Sequence, residues 1–176
     1  LRLIVDLRAA DQEAERFALQ VAAVVGGEDG LVFPVPQGDD LRDLFAQAGI
    51  ANPPATWSEF LEDVKKLKAA GITPIAVGEG DKWPGMHMWA YLVTRLGGKA
   101  NFEGALLRTG KFTDEPFVQA GYKLQELMAL EPFQEGFLGA TYGDEATAMG
   151  NGKAAMELMG QWAPAVQKDN SENKQG

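Results

Sequence analysis

Two short stretches contain residues suited to binding a small ligand. The first, residues 144–164, reads DEATAMGNGKAAMELMGQWAP; in it Gln161 and Trp162 follow a strand-like run, and Pro164 favours the start of a helix. In α/β folds, ligands bind where strands end and the following helices begin. An indole at that point offers a flat apolar face and one N–H donor, which suits the C–H-rich face of a sugar ring. A place in the hydrophobic core is the alternative for Trp162.

The second stretch, residues 78–89, reads GEGDKWPGMHMW and follows a predicted buried strand. Its acids, Glu79 and Asp81, either accept hydrogen bonds from ligand hydroxyls or are solvated loop charges. Its single histidine, His87, is either a ligand contact or a structural residue. We expect no metal site, because transition-metal sites usually recruit several His or Cys ligands, and this chain has one histidine and no cysteine.

The inventory of reactive side chains predicts no catalytic residue and no cofactor. The only serines, Ser58 and Ser171, lie in a predicted helix cap and a polar tail, so neither stands at a strand-to-helix elbow. Phosphate-loop and dinucleotide fingerprints are missing from the sequence. A glycosidase needs only two carboxylates beside an aromatic-lined cleft, and Glu79, Asp81 and Asp144 are candidates for them. A glycosidase and a non-catalytic protein-interaction module are therefore the alternatives to a binding protein.

Length and charge set further limits. A chain of 176 residues is long enough for one domain with a proper core. A net charge of −9 argues against nucleic acid and anionic membrane surfaces as partners, because both require a basic face. No run approaches 18 apolar residues, so we predict no transmembrane helix.

Hydrophobic periodicity predicts the helices and strands that must position these side chains. Strands are expected at 1–6, 31–35, 72–77 and 154–159, and helices at 9–25, 41–48, 56–70, 85–96, 101–107, 144–149 and from about 113. Thr56 and Glu59 fit a capping box. The predicted core residues include Trp57, Trp89 and one stripe of the helix that follows 113: Phe117, Leu124, Leu127 and Met128. Asp144 and Glu145 are expected to stabilise a helix as first-turn acids.

Three segments together resemble a known family. They are PATWSEFLEDVKKLKAAGITPIAVGEGDKWP, GKFTDEPFVQAGYKLQELMAL and AMGNGKAAMELMGQWAP, in that order. The chain resembles the extracellular solute-binding proteins of carbohydrate ABC transporters, the maltose-binding-protein-like family. The resemblance implies an α/β lobe of a type II periplasmic-binding-protein-like fold, with helices packed on a small mixed sheet. It also implies a non-enzymatic protein that binds a sugar between two lobes and delivers it to the permease subunits of an ABC transporter.

The resemblance further implies how the chain is divided and where it acts. Residues 1–30 would be the end of the first lobe's portion, and residues 31–176 a truncated second lobe, so that the chain looks like a fragment. A strand that the family usually has after Gln37 is not evident here. The intact protein is expected to be monomeric and extracytoplasmic, either periplasmic or lipid-anchored.

The ligand contacts expected from this resemblance lie in both stretches. Trp162 and Trp83 would stack on sugar, and His87 stands where the family has an aromatic ring. The family places Tyr142 close to the cleft. Asp81 and Gln161 complete the set that we predict to bind the ligand.

Overall fold

The structure is a computed structural model that describes residues 39–172, with side chains described from residue 43. Its helices and strands, in chain order, are α1 (Asp39–Gln47), α2 (Trp57–Ala69), β1 (Thr73–Ile75), α3 (Trp83–Leu106), α4 (Glu115–Met128), α5 (Tyr142–Gly150), β2 (Ala154–Met156) and α6 (Ala163–Asn170). The predictions for 1–6, 9–25 and 31–35, and the absent strand after Gln37, lie outside the described residues. Within the described range, no helix is long and apolar enough to cross a membrane.

The two strands form the centre of the fold. β1 and β2 are parallel, with Thr73 opposite Ala154 and Ile75 opposite Met156. Ile75 and Met156 are buried, and the sheet is covered by helices, as parallel pairs require. The predicted α/β class is therefore confirmed.

Both strands are shorter than the predicted 72–77 and 154–159. Val77 already leaves the strand pairing, because its N–H donates to the side chain of Gln134 and its carbonyl accepts from the same amide. The residues after β2 likewise run out as a buried but unpaired segment. Each strand thus ends early and its continuation becomes a loop.

Helix α2 begins as the sequence predicts. The Thr56 hydroxyl accepts from Glu59 N–H, and the Glu59 carboxylate accepts from Thr56 N–H, so the capping box is confirmed. Trp57 is buried in the first turn, and its indole donates to Glu126 at 2.8 Å. This contact confirms that Trp57 packs in the structure, as expected.

Helix α3 continues past residue 96, where the predicted helix 85–96 ends, and it has a break at Gly98. Gly98 has φ 73° and ψ 168°, and the chain resumes a helical path directly after it. A Cβ on Gly97 would lie 2.6 Å from the Pro116 ring, so this glycine allows α3 and α4 to approach closely. Trp89 packs on Phe117 in the core, as predicted.

The predicted core stripe of α4 is partly wrong. Phe117 and Leu127 are fully buried and Leu124 packs against the core, but Met128 is 39% exposed. The stripe was assigned one residue too wide, because neighbouring positions on a helix point about 100° apart.

Candidate functional site

Four aromatic side chains from distant parts of the chain meet at one place, which we call the aromatic cluster: Trp83, His87, Tyr142 and Trp162. The Trp83 ring centroid lies 4.9 Å from that of Tyr142, 5.4 Å from His87 and 6.5 Å from Trp162. The His87 and Trp162 rings are 6.3 Å apart at 86°. All four were predicted to contact a ligand, and the fold brings them together.

Trp83 and His87 stand together because they are one helical turn apart at the start of α3. Lys82, with φ 70°, turns the chain into this helix, and Pro84 occupies its first turn. His87 is half-buried, and desolvation lowers its pKa below the usual value. A neutral imidazole has one donor and one acceptor nitrogen, which allows it to bond a hydroxyl in either sense.

Trp162 is the residue immediately before α6, and it remains 43% exposed. A Cβ on Gly160 would overlap the six-membered ring of this indole. The ring therefore lies back over the Gly160 backbone, and only glycine leaves space for it. The result is a tryptophan whose six-membered ring rests against the Gly160 backbone while the residue stays partly exposed.

The loop that precedes Trp83 is fastened to the start of α5 by hydrogen bonds. Tyr142 N–H donates to Asp81 Oδ2 at 2.7 Å, and Gly78 N–H donates to Glu145 Oε2 at 2.7 Å. A Cβ on Gly78 would overlap the backbone of Thr141, so the two segments touch directly. Asp81, predicted to bond ligand hydroxyls, thus has a structural partner at the first turn of α5.

Two buried carboxyl groups lie near the aromatic cluster, and the sequence did not reveal either as a site residue. Glu145 lies in the first turn of α5, as predicted, but it is only 1% exposed. Burial raises the pKa of Glu145 to about 8, with nearby Glu157 and Glu79 adding to the shift. Burial also raises the pKa of Glu157 to about 7, against the effect of its hydrogen bond from Gln167. The sequence feature that could have indicated a buried carboxyl group at Glu157 was a single glutamate within the apolar run AAMELM.

Tyr142 connects these acids to the rings. Its pKa is raised to about 12, first by burial and then by the charge of Glu157. The nearby Trp162 side chain acts in the opposite sense and lowers the pKa of Tyr142. Tyr142 therefore keeps its proton at neutral pH and can act as a hydrogen-bond donor.

The other predicted site residues have plainer surroundings. Gln161 is exposed, next to Trp162 in the chain. Asp144, a candidate for a catalytic carboxylate pair, accepts from the N–H and hydroxyl of Thr141 in a second capping box. These bonds lower the pKa of Asp144, so that it is ionised at neutral pH. Among the described residues, no group of three potential metal ligands is found.

An open apolar groove of about 570 Å³ lies elsewhere, along the outer face of α4. Its lining consists of Val118, Gly121, Tyr122, Leu124, Gln125 and Met128. None of these side chains is charged, and none belongs to the aromatic cluster. The groove offers a tyrosine and a glutamine among apolar residues, whereas the tryptophans and the histidine lie together at the cluster.

Comparison with known proteins gives consistent matches. The model of the family described as bacterial extracellular solute-binding protein matches residues 11–176. The multiple sugar-binding protein of Streptococcus mutans serotype c (strain ATCC 700610 / UA159) is 30% identical over 135 residues, which are 72% of this chain and 31% of that protein.

Solved structures agree in fold. A structure from work on xylan utilization by the thermophilic bacterium Caldanaerobius polysaccharolyticus has a TM-score of 0.69 and 33% identity, covering 73% of this chain and 32% of its own. A chitin oligosaccharide binding protein has a TM-score of 0.68 and 34% identity, covering 75% of this chain and 33% of its own. The chain thus spans about a third of the length of these relatives.

Proposed function

The chain belongs to the bacterial extracellular solute-binding protein family, and we propose that it is part of the sugar-binding component of an ABC importer. The names of its relatives support a carbohydrate ligand, because they include a multiple sugar-binding protein and a chitin oligosaccharide binding protein. The family's extracellular description supports an extracytoplasmic location, in the periplasm or on a lipid anchor.

The observation on which this proposal rests is the aromatic cluster at the ends of β1 and β2. In the proposed complex, the C–H face of a sugar ring stacks on the exposed face of Trp162, and Trp83 provides a second apolar surface. His87, uncharged, bonds a ring hydroxyl as donor or acceptor. Gln161, exposed beside Trp162, supplies an amide that both donates and accepts.

We propose that residues 31–176 belong to the second lobe of a two-lobed protein, and residues 1–30 to the end of the first lobe's portion. Half of a cleft binds weakly, so affinity comes from closure of both lobes on the sugar. The closed, monomeric form is then the one that the permease subunits recognise.

The proposed protein releases its sugar unchanged. Two of the three carboxylates considered for a glycosidase pair already accept structural hydrogen bonds: Asp81 from Tyr142 N–H, and Asp144 from Thr141. The hydrogen bonds from Thr141 lower the pKa of Asp144 and favour its ionised form, whereas a glycosidase needs one carboxyl that stays protonated as general acid.

Tryptophan fluorescence provides the test. The two-lobed protein that this proposal implies, and the 176-residue chain, are titrated with gluco-, galacto-, manno- and xylo-configured mono- and oligosaccharides, while chromatography follows each sugar. We expect a saturable change for at least one sugar with the two-lobed protein, loss of that change in Trp162→Ala, and recovery of the sugar intact.

Trp89→Phe is the matched control, because Trp89 packs on Phe117 in the core and is not part of the aromatic cluster. It should respond to sugar as the parent does. No response from the two-lobed protein to any sugar would refute the carbohydrate assignment, and a cleaved sugar would revive the glycosidase.

A further inference from the structure

Glu157 is a buried acid with unused hydrogen-bonding capacity. It lies five residues before Trp162, on the segment that joins β2 to α6, and is 8% exposed. Its Oε1 accepts from the Gln167 side chain of α6 at 2.5 Å, whereas its Oε2 is buried with no hydrogen-bond partner among the described residues. A buried carboxylate oxygen without a partner is costly, so such an oxygen in a native fold needs an explanation.

The hydroxyl of Tyr142 has the same property. It is buried, and no group in the described part of the chain bonds it. The charge of Glu157 acts on this hydroxyl, so the two groups lie within electrostatic reach of each other. The Tyr142 ring packs edge-on to Trp83, at 4.9 Å between centroids, so the hydroxyl belongs to a ring at the proposed ligand site.

Building on the proposed function, we propose that Glu157 Oε2 and the Tyr142 hydroxyl together bind one hydroxyl group of the sugar and so determine which sugar is accepted. A hydroxyl both donates and accepts, so it can donate to the carboxylate and accept from the phenol. A C–H or C–F group at the same position cannot donate, and an ammonium cannot accept. The pair therefore selects a hydroxyl.

In this proposal, Trp162 stands between the solvent and the pair. Its indole lies close enough to the Tyr142 hydroxyl to affect the phenol, and it is itself 43% exposed. A sugar that shifts the exposed indole as it stacks would place a hydroxyl beside the two buried oxygens. Stacking provides affinity, and the pair behind the rings provides discrimination.

The test compares a bound sugar with its analogues by calorimetry on the two-lobed protein. From the panel above, the tightest ligand is taken, and each hydroxyl is replaced in turn by hydrogen or fluorine. At pH 8, where Glu157 with its pKa of about 7 is mostly ionised, we expect one position at which both replacements weaken binding to the parent protein by about 10- to 100-fold, the usual effect of losing a hydrogen bond to a charged group.

In Tyr142→Phe and in Glu157→Gln, replacing that hydroxyl should weaken sugar binding only a few-fold, because each variant has already lost part of the hydrogen bonding that the hydroxyl makes. Tyr142→Phe keeps the ring, so it retains stacking and tests the proposal even if Glu157→Gln folds poorly. Glu126→Gln, at the exposed carboxylate beside Trp57, is the control and should keep the parent's selectivity.

The two proposals fail differently. If Tyr142→Phe and Glu157→Gln show the parent's penalties at every position while Trp162→Ala loses binding, the polar pair is refuted and the sugar-binding function stands. If the parent protein binds no sugar, the proposed function is refuted and the polar pair with it.

Discussion

Glu145 gives the sharpest prediction about stability, because it is a buried acid with a single well-defined hydrogen bond. Its pKa rises from 4.5 to about 8 on folding. Below pH 4.5 both the folded and unfolded states hold the proton, and the ionisation of Glu145 does not lower the free energy of unfolding. As the pH rises, the unfolded state releases the proton while the folded state keeps it, so the free energy of unfolding decreases.

The size of this effect follows from the shift. One pKa unit corresponds to about 1.4 kcal/mol, so Glu145 alone should reduce the free energy of unfolding by about 2 to 3 kcal/mol between pH 5 and pH 7. Glu145→Gln removes the titration but keeps an oxygen to accept from Gly78 N–H. The variant should therefore gain stability relative to the parent as the pH rises.

Urea unfolding of both proteins at pH 5, 6, 7 and 8, followed by circular dichroism, measures this difference. Glu157 titrates in the same range in both proteins, and the lowered pKa of His87 contributes in the opposite sense in both. The difference between parent and variant isolates Glu145. Parallel stability curves would show that Glu145 titrates equally in the folded and unfolded states, and therefore that it is not buried as described.

Two further predictions concern glycine packing and a helix cap. Gly160→Ala should displace the Trp162 ring, shift tryptophan emission and weaken sugar binding. Gly121→Ala, on open helix surface, should leave sugar binding unchanged and raise the free energy of unfolding by about 0.5–1 kcal/mol. Calorimetry measures the sugar affinity and thermal unfolding the stability of both variants, and an unchanged sugar affinity in Gly160→Ala would contradict the assigned position of the Trp162 ring. Thr56→Ala removes one half of the capping box with Glu59 and should lower the free energy of unfolding by about 1 kcal/mol in urea; an unchanged midpoint would show that the cap does not contribute.

Structural features that depend on a few neighbouring residues could be predicted from the sequence. The capping box of Thr56 and Glu59 closes within three residues, so its pattern is complete in one short segment. The end of the predicted helix 85–96 likewise corresponds to a local break in α3, at Gly98. The turn of the chain at Trp162, from β2 into α6, could be predicted from a strand-like run, a glycine and a proline that follow one another in the sequence.

Structural features that depend on residues far apart in the chain could not be predicted from the sequence. Glu145 is buried because Gly78, 67 positions earlier, donates to it, and a helix-start acid of the same type would normally face water. Strand lengths depend on partners too, as Val77 shows by pairing with the Gln134 side chain. The contacts among Trp83, Tyr142 and Trp162 join positions up to 79 residues apart, and the family resemblance, not the local pattern, was what predicted their proximity.

Saturation-transfer NMR on the two-lobed protein with the tightest sugar of the panel, irradiating aromatic protons, tests directly whether sugar stacks at the aromatic cluster. We expect the strongest transfer, and upfield ring-current shifts, at the sugar C–H protons of one ring face, and we expect both to be lost in Trp162→Ala but kept in Trp89→Phe. Transfer spread evenly over the sugar, or unchanged in Trp162→Ala, would contradict stacking at the aromatic cluster.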